Sequence, residues 1–469
     1  MFLNIDEQEK NSVALRDNEG YSLTYGQLAE EIVKMKKNLP KRCVAFCLCK
    51  NTAGGVLGYL AMVDAGVVPL MLNKDIDEEL FLRFYDLYSP TYLWVPKEME
   101  EKMGYRNVYE TRGYCLLETK NRPYLLNPEL QLLMTTSGST GSPKVVRYKK
   151  GNLETNAKNV AKAFDWTSKE RAVCDLGIQY TMGLNVVNTH LYVGAEVLLT
   201  TYNLMSSDFW DYVKRERATN FTGVPFSYEI LSRLHFSEMD LPELTTLSQG
   251  GGKLTGKRFK EYVEYAQKNE KRFIASFGTT ETSARMSVLP PQEASKRTGS
   301  IGKAIPEGEL FLIDEEGNVQ EESESEGELC YRGPNVTMGY AYDQNDLSRE
   351  DDWKGEYHTG DLARRDEDGF YYITGRKSRF LKLLSYRVSL DQCENLIREQ
   401  FGIDCACAGT DQQMKIYTAE TGYAEKIIDF ISQKTGLYRA LFKVTEGVTI
   451  FRNATGKIEY EKFKDQEEK

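Results

Sequence analysis

Helical and strand-like apolar patterns alternate along the first 300 residues of the chain. Apolar positions recur at helical spacing over residues 24–39, with Thr24 placed to cap the helix. A short apolar run at residues 44–49 is typical of a buried strand. Such alternation predicts an α/β protein with a mostly parallel sheet covered by helices. The further predicted elements are helices at 54–65, 156–164 and 210–216, and strands at 67–72, 172–176, 197–201 and 220–224.

The pattern changes after about residue 300, where short strands replace the alternation. Turns rich in Gly, Asp and Glu separate these strands. Residues 300–375 are therefore expected to form a β-rich subdomain. Its predicted strands are 309–314, 327–332 and 369–374.

A last segment begins near Arg376 and holds two helix patterns, at 390–399 and 423–434. A chain of 469 residues is too long for one compact core, and this segment is long enough for a small domain. We therefore expect a large domain of layered sheets over 1–375 and a small α+β domain over 376–469.

The formal net charge of −10 narrows the classes of function. Non-specific binding to nucleic acid or to an anionic membrane needs a basic face, which an acidic chain does not favour. The longest apolar run, 54–72, is interrupted by Asp64 and several glycines, so we interpret it as a buried helix followed by a strand. The N-terminal residues lack the basic and apolar regions of a secretory signal. These features predict no nucleic-acid partner and no stable insertion into a membrane.

Nine cysteines are scattered along the chain, which has only three histidines. Two C-x-C pairs, at 47/49 and 405/407, lack the second pair or the histidines that a zinc site needs. Buried free thiols explain them better, because apolar neighbours such as Phe46 surround them. The odd count, without a disulfide framework, suits a reducing compartment. We therefore predict a cytoplasmic protein.

The segment 135–144 is the most informative for chemistry, and it follows an apolar strand pattern. Its glycines allow a tight bend, while its hydroxyls, backbone N–H groups and lysine suit phosphate oxygens. The usual P-loop spacing is absent, because the glycines are too close together and a proline precedes the lysine. Phosphate binding is favoured over a solvent-exposed Ser/Thr loop. The predicted phosphate-binding residues are Thr136, Ser137, Gly138, Ser139, Thr140, Gly141 and Lys144.

This segment resembles the phosphate loop of the adenylate-forming superfamily, which includes acyl- and aryl-CoA synthetases, the adenylation domains of peptide synthetases and firefly-type luciferases. Residues 276–281 are similar to that family's aromatic-Gly-x-Thr-Glu motif. The resemblance implies that Phe277 stacks near adenine, that Thr280 contacts phosphate, and that Glu281 helps to hold Mg²⁺. Alone, this segment would be better explained as a capped helix start at Thr280. The implied nucleotide contacts also include Gly278 and Thr279.

Further segments follow in the order of the family. Asp361, in the stretch 357–362, is implied to accept hydrogen bonds from the ribose hydroxyls, a role that suits an acceptor-only carboxylate. Gly251 and Gly252 occupy the place of the family's glycine-rich strand beside adenine.

The C-terminal segments extend the resemblance. Arg376 is a further implied ribose contact and begins a hinge segment, in which Lys382, Arg387 and Glu394 follow the family's spacing. Lys457 is implied to reach the reacting carboxylate and the α-phosphate. Alone, it would be interpreted as an ordinary surface lysine.

Together the segments predict an AMP-forming acid–thiol ligase. Such an enzyme uses ATP to convert a small carboxylic acid to an acyl-adenylate, releases pyrophosphate, and passes the acyl group to a phosphopantetheine thiol of coenzyme A or of an acyl-carrier protein. The resemblance implies Mg²⁺ bound with Glu281 and Thr140, and catalysis by Lys457, Glu281 and Thr280. It also implies a mobile small domain that delivers Lys457 by hinge motion near 376–379. Transfer to an amine, luciferase-type oxygenation and a degenerate ATP-binding protein are the alternatives.

The wall of the acyl pocket is expected from residues 180–184 and 282–286. The first group lacks the aspartate with which amino-acid-activating domains hold an α-ammonium, so a neutral acyl or aryl tail is predicted, although Asp175 lies nearby. Arg285 is expected either to meet a second anionic group of the substrate or to form a structural salt bridge. The predicted pocket residues are Tyr180, Met182, Gly183, Ala284 and Arg285.

The chain departs from the family at several positions. Ser378 replaces the usual Asp or Lys of the hinge, and Ser385 replaces a glycine beside which the pantetheine arm passes. A serine restricts backbone angles that glycine adopts freely, which bears on the second half-reaction rather than the first. Phe451 stands for a usual proline and Lys150 for a frequent histidine. The acid, the acceptor and the oligomeric state stay open at this point.

Overall fold

Two large sheets, a smaller antiparallel sheet and a C-terminal α+β unit make up the structure. The computed structural model describes residues 1–135, 144–254, 256–377, 379–383, 386–453 and 456–464. The strands are β1 (Val13–Asp17), β2 (Ser22–Thr24), β3 (Val44–Cys49), β4 (Val68–Asn73), β5 (Tyr92–Pro96), β6 (Arg106–Thr111), β7 (Tyr114–Glu118), β8 (Leu130–Thr135), β9 (Val145–Lys149), β10 (Arg171–Cys174), β11 (Glu196–Leu199), β12 (Asn220–Gly223), β13 (Thr246–Gln249), β14 (Arg272–Phe277), β15 (Ser287–Leu289), β16 (Lys303–Ala304), β17 (Glu309–Ile313), β18 (Ser325–Arg332), β19 (Tyr340–Ala341), β20 (Glu356–Arg365), β21 (Tyr371–Arg376), β22 (Phe380–Leu383), β23 (Tyr386–Ser389), β24 (Cys405–Thr410), β25 (Gln413–Thr418) and β26 (Phe442–Thr445). The α-helices are α1 (Tyr25–Lys36), α2 (Ala53–Asp64), α3 (Glu78–Tyr88), α4 (Glu100–Met103), α5 (Asn152–Phe164), α6 (Thr181–Tyr192), α7 (Ser207–Arg215), α8 (Pro225–Arg233), α9 (Gly256–Lys268), α10 (Pro291–Ala294), α11 (Leu390–Phe401), α12 (Ala424–Thr435) and α13 (Glu461–Lys464).

Both large sheets are mixed, with parallel centres. One has the strand order β19-β9-β8-β4-β3-β5-β7-β6, and its strands β8, β4, β3 and β5 run parallel. The other has the order β16-β15-β14-β13-β12-β10-β11-β1-β2 and is parallel from β1 to β14. Because parallel strands end at a common edge, β12, β13 and β14 bring the segments that follow them together. The predicted α/β class with layered sheets is confirmed.

Helix α2 lies at the centre of the molecule. All its residues from Ala53 to Val63 are buried, and they belong to a core that also contains side chains of both large sheets. Thr52 caps the helix, its hydroxyl accepting from the N–H of Gly55 at 3.4 Å. The run 54–72 is thus a buried helix and strand, as predicted. In the portions of the chain that the structure covers, no helix has both the length and the apolar character needed to cross a bilayer.

The β-rich part after residue 300 is an antiparallel sheet with the order β17-β18-β20-β21. It has an apolar core that includes Leu312, Leu329 and Tyr331. This sheet places Asp361 on β20 directly opposite Arg376 on β21. The tertiary pairing therefore brings two predicted ribose contacts together.

The residues after Arg376 have an apolar core of their own. Buried side chains from Leu381 to Phe442 form one cluster, packed between α11, α12 and the sheet β24-β25-β26. This separate core supports the division into 1–375 and 376–469, which we keep as a proposal.

Several predicted elements match the structure. Where the start of a predicted helix differs from the observed one, the capping residue explains the difference. Helix α1 follows Thr24, whose hydroxyl accepts from Gln27 N–H while the Gln27 side chain accepts from Thr24 N–H, in a capping box. Helix α7 begins three residues before its predicted start, because the Ser206 hydroxyl caps it by accepting from Phe209 N–H at 3.3 Å. Residues 181–192 form a helix where only a pocket wall was expected.

Candidate active site

The loop after β14 carries the predicted aromatic-Gly-x-Thr-Glu segment. It turns back sharply, so that the N–H of Ala284 donates to the carbonyl of Thr279 at 3.0 Å. Gly278 is required at this turn, because a Cβ there would collide with the carbonyl oxygen of Ala284. Ser283 and Ala284 have φ angles of 59° and 94°, in the left-handed region. Such angles cost roughly 1–3 kcal/mol per residue and persist only where neighbouring contacts fix them.

Asn335 provides those contacts. Its side-chain N–H donates to the carbonyl of Thr282 at 2.7 Å, and its own carbonyl accepts from the Ser283 hydroxyl at 2.8 Å. The Tyr331 hydroxyl in turn donates to Asn335 Oδ1 at 2.8 Å, and Asn335 is completely buried. This network holds Thr280 and Glu281 in position.

Glu281 is held at both its backbone and its side chain. Its carbonyl accepts from the N–H of Thr337 at 3.0 Å and from the Thr337 hydroxyl at 3.1 Å. Its Oε1 accepts from the Tyr340 hydroxyl at 2.6 Å. A fixed, partly exposed carboxylate of this kind suits a hard cation that bridges phosphates.

Thr280 meets the start of α6. Its hydroxyl oxygen lies 3.5 Å from that of Thr181, and its carbonyl accepts from the Tyr148 hydroxyl at 2.6 Å. The predicted pocket residues Tyr180 and Met182 flank Thr181 in the chain. The structure therefore places the expected phosphate contact next to the expected acyl pocket.

Asp361 and Arg376 form an ion pair, with Arg376 Nε 2.9 Å from Asp361 Oδ1. Asp361 is only 3% exposed. Burial raises the pKa of its carboxyl to about 6, and the charge of Arg376 opposes that increase. A buried acceptor beside a cation is well suited to hold the hydroxyls of a ribose.

Lys457 approaches this pair from the C-terminal unit. The residue as a whole is exposed, but its ammonium group lies among protein atoms. This desolvation, together with the charge of Arg376, lowers the pKa of Lys457, while Glu281 and Asp361 act in the opposite direction. All three partners are thus within electrostatic reach of the predicted catalytic lysine.

The glycines after β13 lie against the acyl-pocket segment. A Cβ at Gly250 would be 2.5 Å from Met182 Cε, and one at Gly252 would be 3.1 Å from Pro225 Cγ. Gly251 has a φ of +77°, which favours glycine. Gly183 packs against the backbone of Gly177, where a Cβ would clash. The glycine segment predicted to lie beside adenine therefore adjoins the segment predicted to line the acyl pocket.

Arg285 is buried, with 1% exposure. Its Nη1 donates to Asn185 Oδ1, its Nε donates to Ser276 Oγ at 3.3 Å, and its guanidinium lies 4.8 Å from the ring centroid of Phe164. Burial lowers the pKa of Arg285 to about 9. Within the chain that the structure describes, Arg285 pairs with no carboxylate, so the salt-bridge alternative is wrong there. Its contact with an anionic substrate group stays a prediction.

Several predicted residues lie outside the described ranges: Thr136, Ser137, Gly138, Ser139, Thr140, Gly141, Ser378 and Ser385. Lys144 is described, and its Nζ lies 4.1 Å from the ring centroid of Tyr340. Thr135 and Val145 pair directly across β8 and β9, so the ends of the phosphate segment are close together.

Contacts that the sequence analysis missed hold this site. Tyr340 and Thr337 fix Glu281, Thr181 and Tyr148 meet Thr280, and Asn335 supports the turn between them. Each pair of partners is separated by 50 residues or more along the chain. The turn glycine Gly339, with a φ of +105° directly before Tyr340, is the signal that could have pointed to this segment.

The chemistry of these groups fits Mg²⁺ and ATP. A carboxylate and a hydroxyl, at Glu281 and Thr280, suit the cation and its phosphates. The buried Asp361 suits the ribose, and the glycines after β13 let the backbone pack closely against Met182 and Pro225. Lys144 and Lys457 would add positive charge for the phosphates.

The fold and these groups define an enzyme that activates acids with ATP. The chain matches the AMP-binding enzyme family over residues 3–341 and belongs to that family. The prediction of an AMP-forming acid–thiol ligase in the adenylate-forming superfamily is thereby confirmed.

Known proteins similar to this chain include coenzyme A ligases. It is 24% identical over 475 residues to the 2-succinylbenzoate–CoA ligase of Listeria monocytogenes serovar 1/2a, covering 96% of each chain. It is 28% identical over 352 residues to the oxalate–CoA ligase of Arabidopsis thaliana, covering 70% of this chain and 66% of that one.

Solved structures extend the likeness over nearly the whole fold. O-succinylbenzoate coenzyme A synthetase from Bacillus subtilis, in complex with AMP, aligns with a TM-score of 0.80 at 21% identity, covering 99% of this chain and 97% of that one. The same enzyme in complex with ATP and magnesium ion aligns with a TM-score of 0.78 at 20% identity, covering 99% and 98%. ATP and Mg²⁺ are therefore ligands found within this fold.

Proposed function

We propose that this enzyme uses ATP and Mg²⁺ to convert a small carboxylic acid to its acyl-adenylate, and then transfers the acyl group to the thiol of coenzyme A. The observation that carries the first step is the convergence of Lys457 with Glu281, Asp361 and Arg376. These residues come from three separate parts of the chain, and a merely structural role for an exposed C-terminal lysine would not require that arrangement.

Adenylation solves a leaving-group problem. A carboxylate is a poor electrophile because oxide would have to leave, whereas AMP departs readily from an acyl-adenylate. In the first step a carboxylate oxygen attacks the α-phosphorus, the bond to the bridging oxygen breaks, and pyrophosphate carries away the electron pair. Negative charge grows on phosphate oxygens, so positioning and cationic stabilisation dominate catalysis.

Each residue of the proposed site has its own role in adenylation. Lys457 neutralises charge at the reacting carboxylate and α-phosphate, and Lys144 does so along the phosphates. Glu281 would hold Mg²⁺, with Thr140 a further predicted contact, and the bound cation supplies positive charge to the phosphate oxygens. Asp361 and Arg376 orient the ribose, and Thr280 contacts phosphate. We also propose that the unit after Arg376 moves by a hinge near 376–379, which withdraws Lys457 before the thiol attacks.

Coenzyme A is the favoured acceptor. The similar proteins named above are coenzyme A ligases, which supports this thiol over a carrier protein or an amine. In the second step the thiolate sulfur attacks the acyl carbon, and AMP leaves with the electron pair of the broken bond.

A neutral acyl or aryl tail is the proposed substrate class at the acyl pocket. Residues 180–184 contain no aspartate to hold an α-ammonium. The nearby Asp175 is a weak candidate for that role, because burial raises the pKa of its carboxyl to about 7 and so reduces its negative charge near neutral pH. A second carboxylate on the acid is the alternative that Arg285 favours.

The test is pyrophosphate exchange into ATP, measured over a panel of aliphatic, aromatic, dicarboxylic and amino acids. Exchange with at least one acid, followed by a thioester on adding coenzyme A, supports the proposal. Repeating the active cases with a phosphopantetheinylated carrier protein separates the two thiols. Exchange without any thioester would indicate an amine acceptor, and no exchange with any acid would refute the adenylation step.

A reducing location, such as the cytoplasm, is proposed as well. All nine cysteines lie within the described ranges, and all are buried free thiols. Free thiols of this number suit a compartment that keeps them reduced.

A further inference from the structure

Tyr340 connects two parts of the site that are far apart in the sequence. Its hydroxyl donates to Glu281 Oε1 at 2.6 Å, and its ring centroid lies 4.1 Å from Lys144 Nζ. Its ring also packs edge-on against Trp353, with centroids 5.2 Å apart and planes at 84°. One side chain therefore contacts the carboxylate expected to bind the cation and the lysine expected to bind phosphate.

The backbone around Tyr340 is firmly held. Tyr340 pairs with Val146 across β19 and β9, and the carbonyl of the preceding Gly339 accepts from the N–H of Arg147 at 2.9 Å. The Arg147 side chain is completely buried and donates to the carbonyl of Met338 at 2.8 Å. These bonds immobilise the residues on which the phenol depends, so its position does not rely on a ligand.

The hydroxyl of Tyr340 fixes one oxygen of the Glu281 carboxylate. Hydrogen bonds from a hydroxyl to a carboxylate are among the strong ones in proteins. Because the bond uses Oε1, Oε2 of Glu281 would be the oxygen that holds Mg²⁺.

The ring of Tyr340 holds the ammonium group of Lys144. An ammonium over an aromatic ring is attracted by the ring's negative face, and more strongly when the pair is desolvated. Lys144 is thereby kept beside Glu281, at the C-terminal end of the segment 135–144.

We propose that Tyr340 is a positioning residue for adenylation, whose hydroxyl orients Glu281 for Mg²⁺ and whose ring holds Lys144 ready for the phosphates. The inference rests on the proposed function, because it assumes that Mg²⁺ and ATP occupy this crevice. The inference goes beyond the proposed function by assigning separate tasks to the hydroxyl and the ring of Tyr340.

The separate tasks can be measured by nucleotide binding, without turnover. The probe is α,β-methylene-ATP, which cannot be cleaved between the α- and β-phosphates, titrated calorimetrically at saturating Mg²⁺ and again in excess EDTA. The ratio of the two affinities reports how much the cation contributes. Tyr340→Phe removes the hydroxyl and keeps the ring, and Tyr340→Leu removes both.

Tyr340→Phe is expected to reduce this ratio about tenfold, the usual size of effect for a partner of a metal-binding carboxylate. Its affinity in EDTA should change by less than twofold. Tyr340→Leu should show the same loss of the ratio and bind the probe about threefold more weakly in EDTA, because Lys144 loses its ring. Tyr342→Phe is the matched control, since Tyr342 is 53% exposed two residues further on, and it should match the wild type.

An unchanged ratio in Tyr340→Phe, or an equal loss of affinity with Mg²⁺ and with EDTA, would overturn the proposal. A Leu variant that binds in EDTA like the Phe variant would overturn the role assigned to the ring. Pyrophosphate exchange by the wild-type enzyme is a separate readout, so a failure of the proposed function would be visible even if the binding ratios behaved as expected.

Discussion

The two halves of the site are the loop after β14 and a C-terminal turn, the Gly-Lys turn, that contains Gly456 and Lys457. They are held in different ways. Hydrogen bonds from Asn335 and Tyr340, which lie more than 50 residues away in sequence, fix the loop. The Gly-Lys turn is instead closed within itself, because Asn453 N–H donates to the Lys457 carbonyl at 2.9 Å and Lys457 N–H donates to Asn453 Oδ1 at 3.0 Å.

This difference separates a rigid half of the site, at the loop, from the half that we propose moves as a unit, at the turn. A loop held by long-range bonds cannot leave without breaking them, whereas a turn held by local bonds keeps its shape wherever its unit goes. The turn meets the larger part of the molecule at Phe226. A Cβ added at Gly456 would lie 2.9 Å from the Cβ of Phe226. Changes in the loop should therefore affect folding, binding and chemistry together, and changes in the turn should affect chemistry alone.

The strongest test of the mobile half is Lys457→Ala. We expect adenylation to fall about a hundredfold or more, because a cation that stabilises charge in the transition state is lost. Binding of ATP and the melting temperature should stay close to wild type. Near-normal pyrophosphate exchange in this variant would refute the catalytic assignment.

Asn335→Ala tests the rigid half. It leaves the buried carbonyl of Thr282 and the Tyr331 hydroxyl without their partner, which should destabilise the fold by about 1–3 kcal/mol. ATP affinity and exchange should decrease along with the melting temperature. Asn345→Ala, at an exposed position in the same region, is the control. If Asn335→Ala lost only activity and kept full stability, the loop would not be held as we describe.

Gly456→Ala probes the contact between the two halves. The residue has a φ of +79° and faces Phe226, so alanine adds a backbone penalty and a clash. We expect exchange to fall about tenfold at unchanged ATP affinity, because the clash with Phe226 costs about 1–3 kcal/mol in the closed arrangement.

Gly447→Ala supplies a matched control for this experiment. Gly447 has a φ of +72° in the same unit, but no atom lies within 4 Å of an added Cβ. It should pay the backbone penalty without losing exchange. The double variant Gly456→Ala with Phe226→Gly, which removes the Cβ that an added Cβ at Gly456 would meet, should recover part of the rate. A failure to do so would exclude the clash as the cause.

The smallest expected effect is a pH dependence at Asp361. Its pKa of about 6 means that the carboxylate, which we propose accepts from the ribose hydroxyls, is lost as the pH falls through 6. ATP affinity at pH 5.5 should be about fourfold lower than at pH 7.5, and Asp361→Asn should lack this step. Because the folded-state pKa is raised above the ordinary 3.8, this group opposes folding at neutral pH, and that penalty disappears as the pH falls from about 6 toward 4.

The charged groups around Asp361 allow a further test of what sets its pKa. Arg376 and Lys457 favour the carboxylate, whereas Asp391 and burial disfavour it, and Tyr357 also lies within electrostatic reach. Arg376→Gln should therefore move the midpoint of the pH dependence upward. A midpoint that stayed in place would show that the ion pair does not set the pKa of Asp361.

Local patterns predicted the elements well where one feature decided the outcome. The capping box at Thr24 and the fully apolar strand at 44–49 were readable because their signals lie within a few residues. Helix α6 was missed, because its residues from Gly183 to Leu191 are buried on all sides and show no amphipathic period. Arg285 was expected at a substrate or in a salt bridge. In place of the salt bridge it has amide and hydroxyl partners within the described residues, which no spacing in the sequence indicates, and its contact with a substrate stays a prediction.

The sequence by itself determined the class of enzyme and the chemical groups of the site, because motifs such as 276–281 and Lys457 carry chemistry in their residue types and order. Only the tertiary structure decided what holds those groups. Tyr340 and Asn335 act through hydrogen bonds across more than 50 residues, formed when strands from different segments pair and pack. Such contacts depend on the register and packing of the whole fold, and no local pattern along the chain records them.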